Sequence, residues 1–297
     1  MWNQWRNWAE RYATSFFQSA EWAETLIRHY PFYHPEPIHS ENYFLPLIRH
    51  KRWGWISDSL YGMPLMSTGG LLAADGDREE GWRRALAILA RKQVGTTVLS
   101  LATATGPVTP PDGFQSLEES THLIDLRPGW DSVYSGFKKS CKEAIRRAGR
   151  LGVEVQREEN PEGVEAHWSL ITGEFEKWRP NPPITREFIK DLVNLPQASL
   201  YIARVEERPV LSLLSFVYGG ELFLWQSAKA SIEFPPGTSN LLSSTLFREA
   251  CEEGVQTVNY GTSLGNRSIE KYKESYGAVK TPYMILKRVH PFVRWIR

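Results

Sequence analysis

Two phenols and two lysines crowd one short stretch, Ile269-Glu-Lys271-Tyr272-Lys273-Glu-Ser-Tyr276-Gly277. Tyr272 and Tyr276 are four apart, so on a helix they share a face. A phenol aimed at a leaving group can protonate it, and Lys273 can hold an anion beside it. Ring packing with solvated lysines accounts for the same pattern. A second stretch, Phe234-Pro-Pro-Gly-Thr-Ser-Asn240, opens an apolar helical pattern. A helix start preceded by Pro and Gly exposes unpaired backbone N–H groups and carries about half a positive charge. Gly237, Thr238, Ser239 and Asn240 are thereby candidates to hold a phosphate or carboxylate; simple N-capping by Thr238 or Ser239 is the alternative. The strand before this loop bears Trp225, Gln226 and Ser227, where a ligand would lie against both elements.

Other residues carry weaker signals. The run Lys138-Lys139-Ser-Cys-Lys142-Glu-Ala-Ile-Arg146-Arg147-Ala-Gly-Arg150 has six bases and one acid, a local +5. It reads as a solvated helix face or as a surface for a phosphorylated ligand, tRNA or anionic lipid headgroups. Gly261-Thr-Ser263-Leu-Gly265 matches the Gly-x-Ser-x-Gly pattern of a hydrolase nucleophile elbow. No Asp and only one His, His290, follow it, so the order Ser, acid, His is not available. A turn is the better reading, with Ser263 as a helix cap or, with Arg267, a substrate contact. His29, His34 and His39 lack ligand spacing, so no metal site is expected. Walker A and dinucleotide-binding glycine patterns are absent.

The elements that must position these residues follow from composition and periodicity. The chain has 297 residues, 41% hydrophobic, with 35 basic and 34 acidic side chains and a net charge of +1. Near neutrality excludes strong global attraction to nucleic acid or to an anionic membrane, leaving only a local patch for either, and DNA is not an expected partner. Two distant cysteines, Cys141 and Cys251, exclude a disulfide scaffold and fit a reducing cytoplasm. Neither a signal peptide nor a transmembrane run is recognisable.

A Pro- and Gly-rich stretch, Gly106–Gly113, divides the chain into an expected first domain, 1–115, and a second, 116–297. In the first, helices are expected over Ser19–His29 and Asp77–Gln93. Strands are expected over Asn42–His50 and Thr96–Leu101, with a short apolar run at Ser67–Ala73. In the second, one helix is expected over Asp131–Leu151, then a strand at Val153–Gln156 and helices at Pro161–Trp178 and Thr185–Asn194. Ser199–Val205, Val210–Tyr218 and Glu221–Ala228 read as an antiparallel meander, its last turn marked by Gly219-Gly220. A helix over Thr238–Glu253, a strand at Gln256–Tyr260, a helix over Asn266–Tyr276 and a strand at Val279–Lys287 complete the order.

Assembled, these segments resemble the GNAT acyltransferase superfamily, in the branch shared with Fem-type peptidyltransferases and CelD-type proteins. The resemblance rests on Thr14-Ser-Phe-Phe-Gln-Ser-Ala-Glu-Trp22, the basic helix Phe137–Gly152, the meander and Pro235–Leu242. It ends with Tyr260-Gly-Thr-Ser263 followed by Tyr272-Lys273 and Tyr276-Gly277-Ala278. It implies an α+β fold of two tandem GNAT-like domains, the first degenerate, each a mixed, largely antiparallel sheet with flanking helices. It also implies an acyl donor beside the last meander strand: acyl-CoA, as in GNAT enzymes, or aminoacyl-tRNA, as in Fem-type enzymes. The loop Pro-Pro-Gly-Thr-Ser-Asn is poorer in Gly and bases than the usual GNAT pyrophosphate loop, and Tyr260 stands where many relatives carry an acid. On this reading the protein is an N-acyltransferase in which an amine attacks the donor carbonyl directly. Tyr272 or Tyr276 protonates the leaving group, and Trp225–Ser227, Gly237–Asn240 and Lys273 hold the donor. Lys138, Lys139, Lys142, Arg146, Ser263 and Arg267 hold substrate or polyanion. The acceptor is a small-molecule or cell-envelope precursor amine. The alternatives are Fem-like transfer from aminoacyl-tRNA to a peptidoglycan precursor or metabolite, and a non-catalytic binding protein that keeps the fold.

Overall fold

A computed structural model describes residues 1–65, 68–103, 108–158, 160–174 and 184–296. Ser67, Gly106, Pro107 and the expected helix residues 175–178 lie outside the described residues. The chain forms two compact units, Met1–Ser120 with Pro282–Arg297, and Thr121–Thr281.

The first unit carries α1 (Trp2–Tyr12), α2 (Ala20–His29) and α3 (Arg78–Arg91). Its strands are β1 (Tyr33–Pro35), β2 (Ile38–His39), β3 (Tyr43–Leu45), β4 (Ile48–His50), β5 (Ser59–Tyr61), β6 (Leu72–Ala73) and β7 (Thr96–Ser100). The strand expected over Asn42–His50 breaks into β3 and β4 at Pro46, which has no N–H to continue a ladder. β3 then joins a small sheet with β2 and β6, and β4 lies between β1 and β5. β5 and β7 pair in parallel, joined through α3. Trp82, Leu86 and Leu89 on α3 face the core with Leu60 and Leu99.

The second unit takes in the end of β8 (Phe114–Asp125), then α4 (Trp130–Ser135), α5 (Lys139–Arg150), β9 (Val153–Glu158), α6 (Pro161–Thr172) and α7 (Arg186–Val193). The meander follows as β10 (Ala198–Val205), β11 (Arg208–Tyr218) and β12 (Glu221–Lys229). Last come α8 (Thr238–Glu252), β13 (Thr257–Asn259), α9 (Arg267–Glu274) and the start of β14 (Val279–Val289), with α10 (Pro291–Ile296) beyond it. The strands run β8-β13-β12-β11-β10-β9, antiparallel except for β12 with β13. Thus each unit holds one parallel β-α-β step in an antiparallel setting.

Three differences from the sequence reading have physical causes. The helix expected over Asp131–Leu151 is two helices, because Lys138 N–H leaves the helical path to bond the Ser275 carbonyl at 2.8 Å. Residues 285–289, expected in the second domain, pair with β7 of the first unit. β8 was not expected, since Phe-Gln-Ser-Leu-Glu-Glu-Ser-Thr is too polar to read as a strand, and neither was α1.

The meander positions the site. Alternate residues point to opposite faces of a strand. Tyr201, Ala203, Leu211, Leu213, Leu222 and Leu224 pack with Leu242, Leu246 and Phe247 of α8. Leu200, Ile202, Leu214 and Phe216, one place out of phase, are fully buried on the other face, where α6 and α7 pack. Each such burial stabilises by about 1.5–3 kcal/mol, so the sheet's register is strongly held.

Candidate active site

β12 and β13 pair only from Glu221↔Thr257 to Phe223↔Asn259. Beyond Phe223, β12 continues to Lys229 with no β13 partner among the described residues, while β13 ends at Asn259. One register irregularity makes the divergence. Leu214 pairs with Gln226 and Ser215 with Leu224, so Trp225 is an extra residue on β12. A bulge of this kind bends its strand and breaks the ladder. β12 beyond Phe223 thus runs beside α8 without β13 along its edge.

The start of α8 closes this wedge. Gly237 caps it at φ +89, without a side-chain cap bond and without an acid in the first turn. A Cβ on Gly237 would stand 2.2 Å from the Ala144 carbonyl oxygen of α5, so glycine is required by conformation and by contact alike. The first-turn N–H groups have no intrahelical acceptor and favour an anion. The corresponding start of α3, in the first unit's parallel step, carries Asp75, Asp77, Glu79 and Glu80. That end repels anions, so of the two parallel steps only the second has an acid-free helix start.

Tyrosine hydroxyls tie α9 to α8. Tyr272 donates to the Ser239 carbonyl at 3.0 Å and lies 3.2 Å from Ser243 Oγ. Tyr276 donates to the Tyr272 hydroxyl at 2.8 Å. Burial raises both phenols above their ordinary value, Tyr276 the more. Tyr276 is fully buried, ringed by Phe137, Phe247 and Tyr260. Tyr272 therefore sits at the helix start, and Tyr276 behind it. Asn240 also reaches α5, donating to Cys141 Sγ at 3.5 Å.

Several expected contacts fall elsewhere. Lys273 is buried, and Nζ donates to the Gly261 carbonyl at 2.7 Å and the Thr262 carbonyl at 3.1 Å, so it holds a loop rather than a donor anion. Desolvation lowers its pKa to about 8. Thr238 Oγ1 donates to the Pro235 carbonyl and is turned inward. Trp225 packs on Phe188 and Phe216, the α7 side. Gln226, paired with Leu214, shares that face; Ser227, paired with Leu213, lies exposed on the α8 face. Ser263 is in a turn as expected, but the cap of α9 is Asn266, whose Oδ1 accepts from Ser268 and Ile269 N–H. Arg267 pairs with Glu270 at 3.1 Å. Lys138, Lys139 and Arg146 stand exposed on α5, while Lys142 donates to the Ser135 carbonyl at 2.8 Å.

Sequence reasoning missed one polar group within the wedge. Asn259, at its apex, donates to Glu221 at 2.9 Å and accepts from Thr121 at 2.6 Å and Gly261 N–H at 3.0 Å. Only the placement of an Asn at the end of a β-branched strand could have flagged it. No cluster of metal-ligating side chains occurs among the described residues. A cleft of about 510 Å³ lies at the other end of the meander, lined by Arg157, Asn160, Glu165, Lys190 and Leu200.

A bulged strand thus diverges from its parallel partner over an uncapped helix start. Residues 135–274 match the family model of the acetyltransferase (GNAT) domain. The second unit is thus a GNAT acyltransferase domain, carried on a Fem-like tandem fold. The solved structure of FemX superposes with a TM-score of 0.73 at 12% identity, covering 100% of this chain and 98% of that one. The L-PGS structure from Bacillus licheniformis gives 0.67 at 13% identity, over 99% and 94%. A tandem GNAT protein from the clavulanic acid biosynthesis pathway gives 0.56 at 13% identity, over 97% and 94%. No curated protein matches. No described helix is long and apolar enough to cross a membrane.

Proposed function

We propose that the protein transfers an acyl group from an acyl-CoA to the amine of a small molecule or cell-envelope precursor, in the cytoplasm. The observation that carries this reading is the divergence of β12 from β13 after Phe223, over the acid-free start of α8. The donor's pyrophosphate is held at the N–H groups of Ser239 and Asn240. Its acyl carbonyl lies along Leu224–Ser227, where the backbone N–H groups of the strand polarise it. The amine attacks the carbonyl carbon, the tetrahedral adduct collapses, the thiolate leaves with a proton from Tyr272, and the proton given up by the amine nitrogen restores the phenol. Tyr276 positions that hydroxyl. Rate comes mainly from holding two substrates in line. No covalent enzyme intermediate is required, and Cys141 is too buried to form one.

A second reading, transfer from aminoacyl-tRNA, is favoured by α5. Lys138, Lys139, Arg146, Arg147 and Arg150 are all exposed, and among the described residues only Lys139 has an acid within 4 Å, Glu143 at 3.9 Å. Thermal shift against an acyl-CoA panel, with free CoA as control, tests the first reading. A ligand at 100 times its Kd adds about 2.7 kcal/mol. A shift with one chain length supports acyl-CoA. No shift, with tRNA binding that Lys138→Glu, Lys139→Glu and Arg146→Glu together abolish, replaces it by the second.

A further inference from the structure

The first unit presents a surface that the transfer reaction does not use. After β4, the six residues Lys51-Arg-Trp-Gly-Trp-Ile56 are all exposed. Trp53 is 100% accessible, Trp55 38% and Ile56 37%. Three large apolar side chains exposed within four residues make a patch, and such a patch marks an interaction surface. The loop is nevertheless held in place. Gly95 N–H bonds the Trp55 carbonyl at 2.9 Å, and a Cβ on Gly95 would stand 1.8 Å from the Ile56 carbonyl oxygen. The same Gly95 accepts from His290 N–H at 2.9 Å, and the Trp55 and His290 rings meet at 5.0 Å. This brings Pro291 and Phe292, the latter 53% exposed, beside the loop.

The sequence on either side of these rings carries charge of one sign. Residues 51–57 hold Lys51 and Arg52 and no acid; residues 287–297 hold four bases and no acid. The next carboxylate in sequence, Asp58, is buried and paired with Arg49 at 3.0 Å. Exposed Trp and Phe among cations, on a chain of net charge +1, match a bilayer interface better than a protein groove. Indole rings lodge at the headgroup level, and each Lys or Arg adds attraction to anionic lipid.

We propose that the Lys51–Ile56 loop and Phe292 form a docking face for the anionic surface of a lipid bilayer, with Trp53 and Phe292 entering the headgroup layer. Cosedimentation tests this, with vesicles of phosphatidylcholine alone and of an equal mixture with phosphatidylglycerol. The wild-type chain is expected to pellet with the anionic vesicles and far less with the neutral ones. Each lost cation weakens partition about fivefold, so Lys51→Glu with Arg52→Glu reduces it roughly 25-fold or more. Trp53→Ala with Phe292→Ala is expected to reduce it about tenfold or more at unchanged unfolding temperature. Trp53→Ala alone serves if the double variant does not fold. Wild-type protein that stays in the supernatant, or variants that pellet equally, overturn the proposal. Self-association that Trp53→Ala abolishes, without vesicle binding, assigns the face to a second copy instead and also overturns it. The readout is binding, so it stands whatever the donor proves to be.

Discussion

The hydroxyl of Tyr276 donates to that of Tyr272 at 2.8 Å, and Tyr272 in turn donates to the carbonyl of Ser239 in the first turn of α8 at 3.0 Å. The chain of bonds runs from the aromatic core to the helix start proposed to hold the donor. On that reading Tyr272→Phe removes the acid and lowers kcat about 10²- to 10⁴-fold. Tyr276→Phe lowers it less, because Ser243 Oγ at 3.2 Å still orients the Tyr272 hydroxyl. Steady-state rates of thiol release with an amine acceptor check the order. Wild-type kcat in both variants would leave the pair a packing feature only.

Gly237 is the second test of that helix start. Any side chain here meets a positive φ and the Ala144 carbonyl oxygen together. Gly237→Ala is expected to destabilise by about 2–4 kcal/mol, the sum of backbone strain and displacement of α5 from α8. Urea unfolding measures it. A loss below about 1 kcal/mol, which strain at positive φ alone would exceed, would mean that α5 yields easily and that the close approach is not structural.

The meander and its flanking helices were legible because their signals are local. The Gly219-Gly220 turn, the apolar alternation of β10 to β12 and the Leu242/Leu246 face of α8 each fit within one element. The tandem fold was legible from the order of such elements. The wedge was not, because it depends on where β12 carries its extra residue, and the bulge at Trp225 breaks the alternation between Leu224 and Gln226. Lys273 misled for a related reason. Its spacing on α9 was read correctly, but the partners that hold it, the carbonyls of Gly261 and Thr262, lie in a loop whose path periodicity does not describe. The break between α4 and α5 likewise needed a tertiary bond, from Lys138 to Ser275.

His167 on α6 is fully buried, with Nδ1 2.7 Å from Ser212 Oγ on β11. Burial lowers its pKa to about 3, against an ordinary value of 6.5. The unfolded chain therefore binds a proton that the folded one refuses. The stability this neutral ring provides is complete above pH 6.5 and is lost as pH falls toward 3. At about 1.4 kcal/mol per unit, the loss from this residue reaches roughly 2 kcal/mol by pH 5. His167→Gln, which keeps a polar partner for Ser212 and does not titrate, is expected to remove that acid-side loss in denaturant unfolding. Identical slopes for variant and wild type would show that the site admits water and the charged ring.

Glu221 acts in the opposite sense over an overlapping range. Desolvation raises its pKa from 4.5 to about 7, with the Asn259 amide pulling the other way. Here the folded chain holds a proton that the unfolded one releases. Its contribution is complete below pH 4.5 and is lost as pH rises through 7, on the order of 3 kcal/mol by pH 8. Glu221→Gln keeps an acceptor for Asn259 and never ionises, so it is expected to stabilise the protein at pH 8 and leave it little changed at pH 4. Between pH 4.5 and 6.5 the two residues oppose each other: acid favours the fold through Glu221 and disfavours it through His167. Wild-type stability is then nearly flat across that window. Glu221→Gln unmasks a fall with acid, His167→Gln unmasks a rise, and the double variant is flat again. Unfolding free energies at four or five pH values decide it, and parallel curves for all four proteins would remove both assignments.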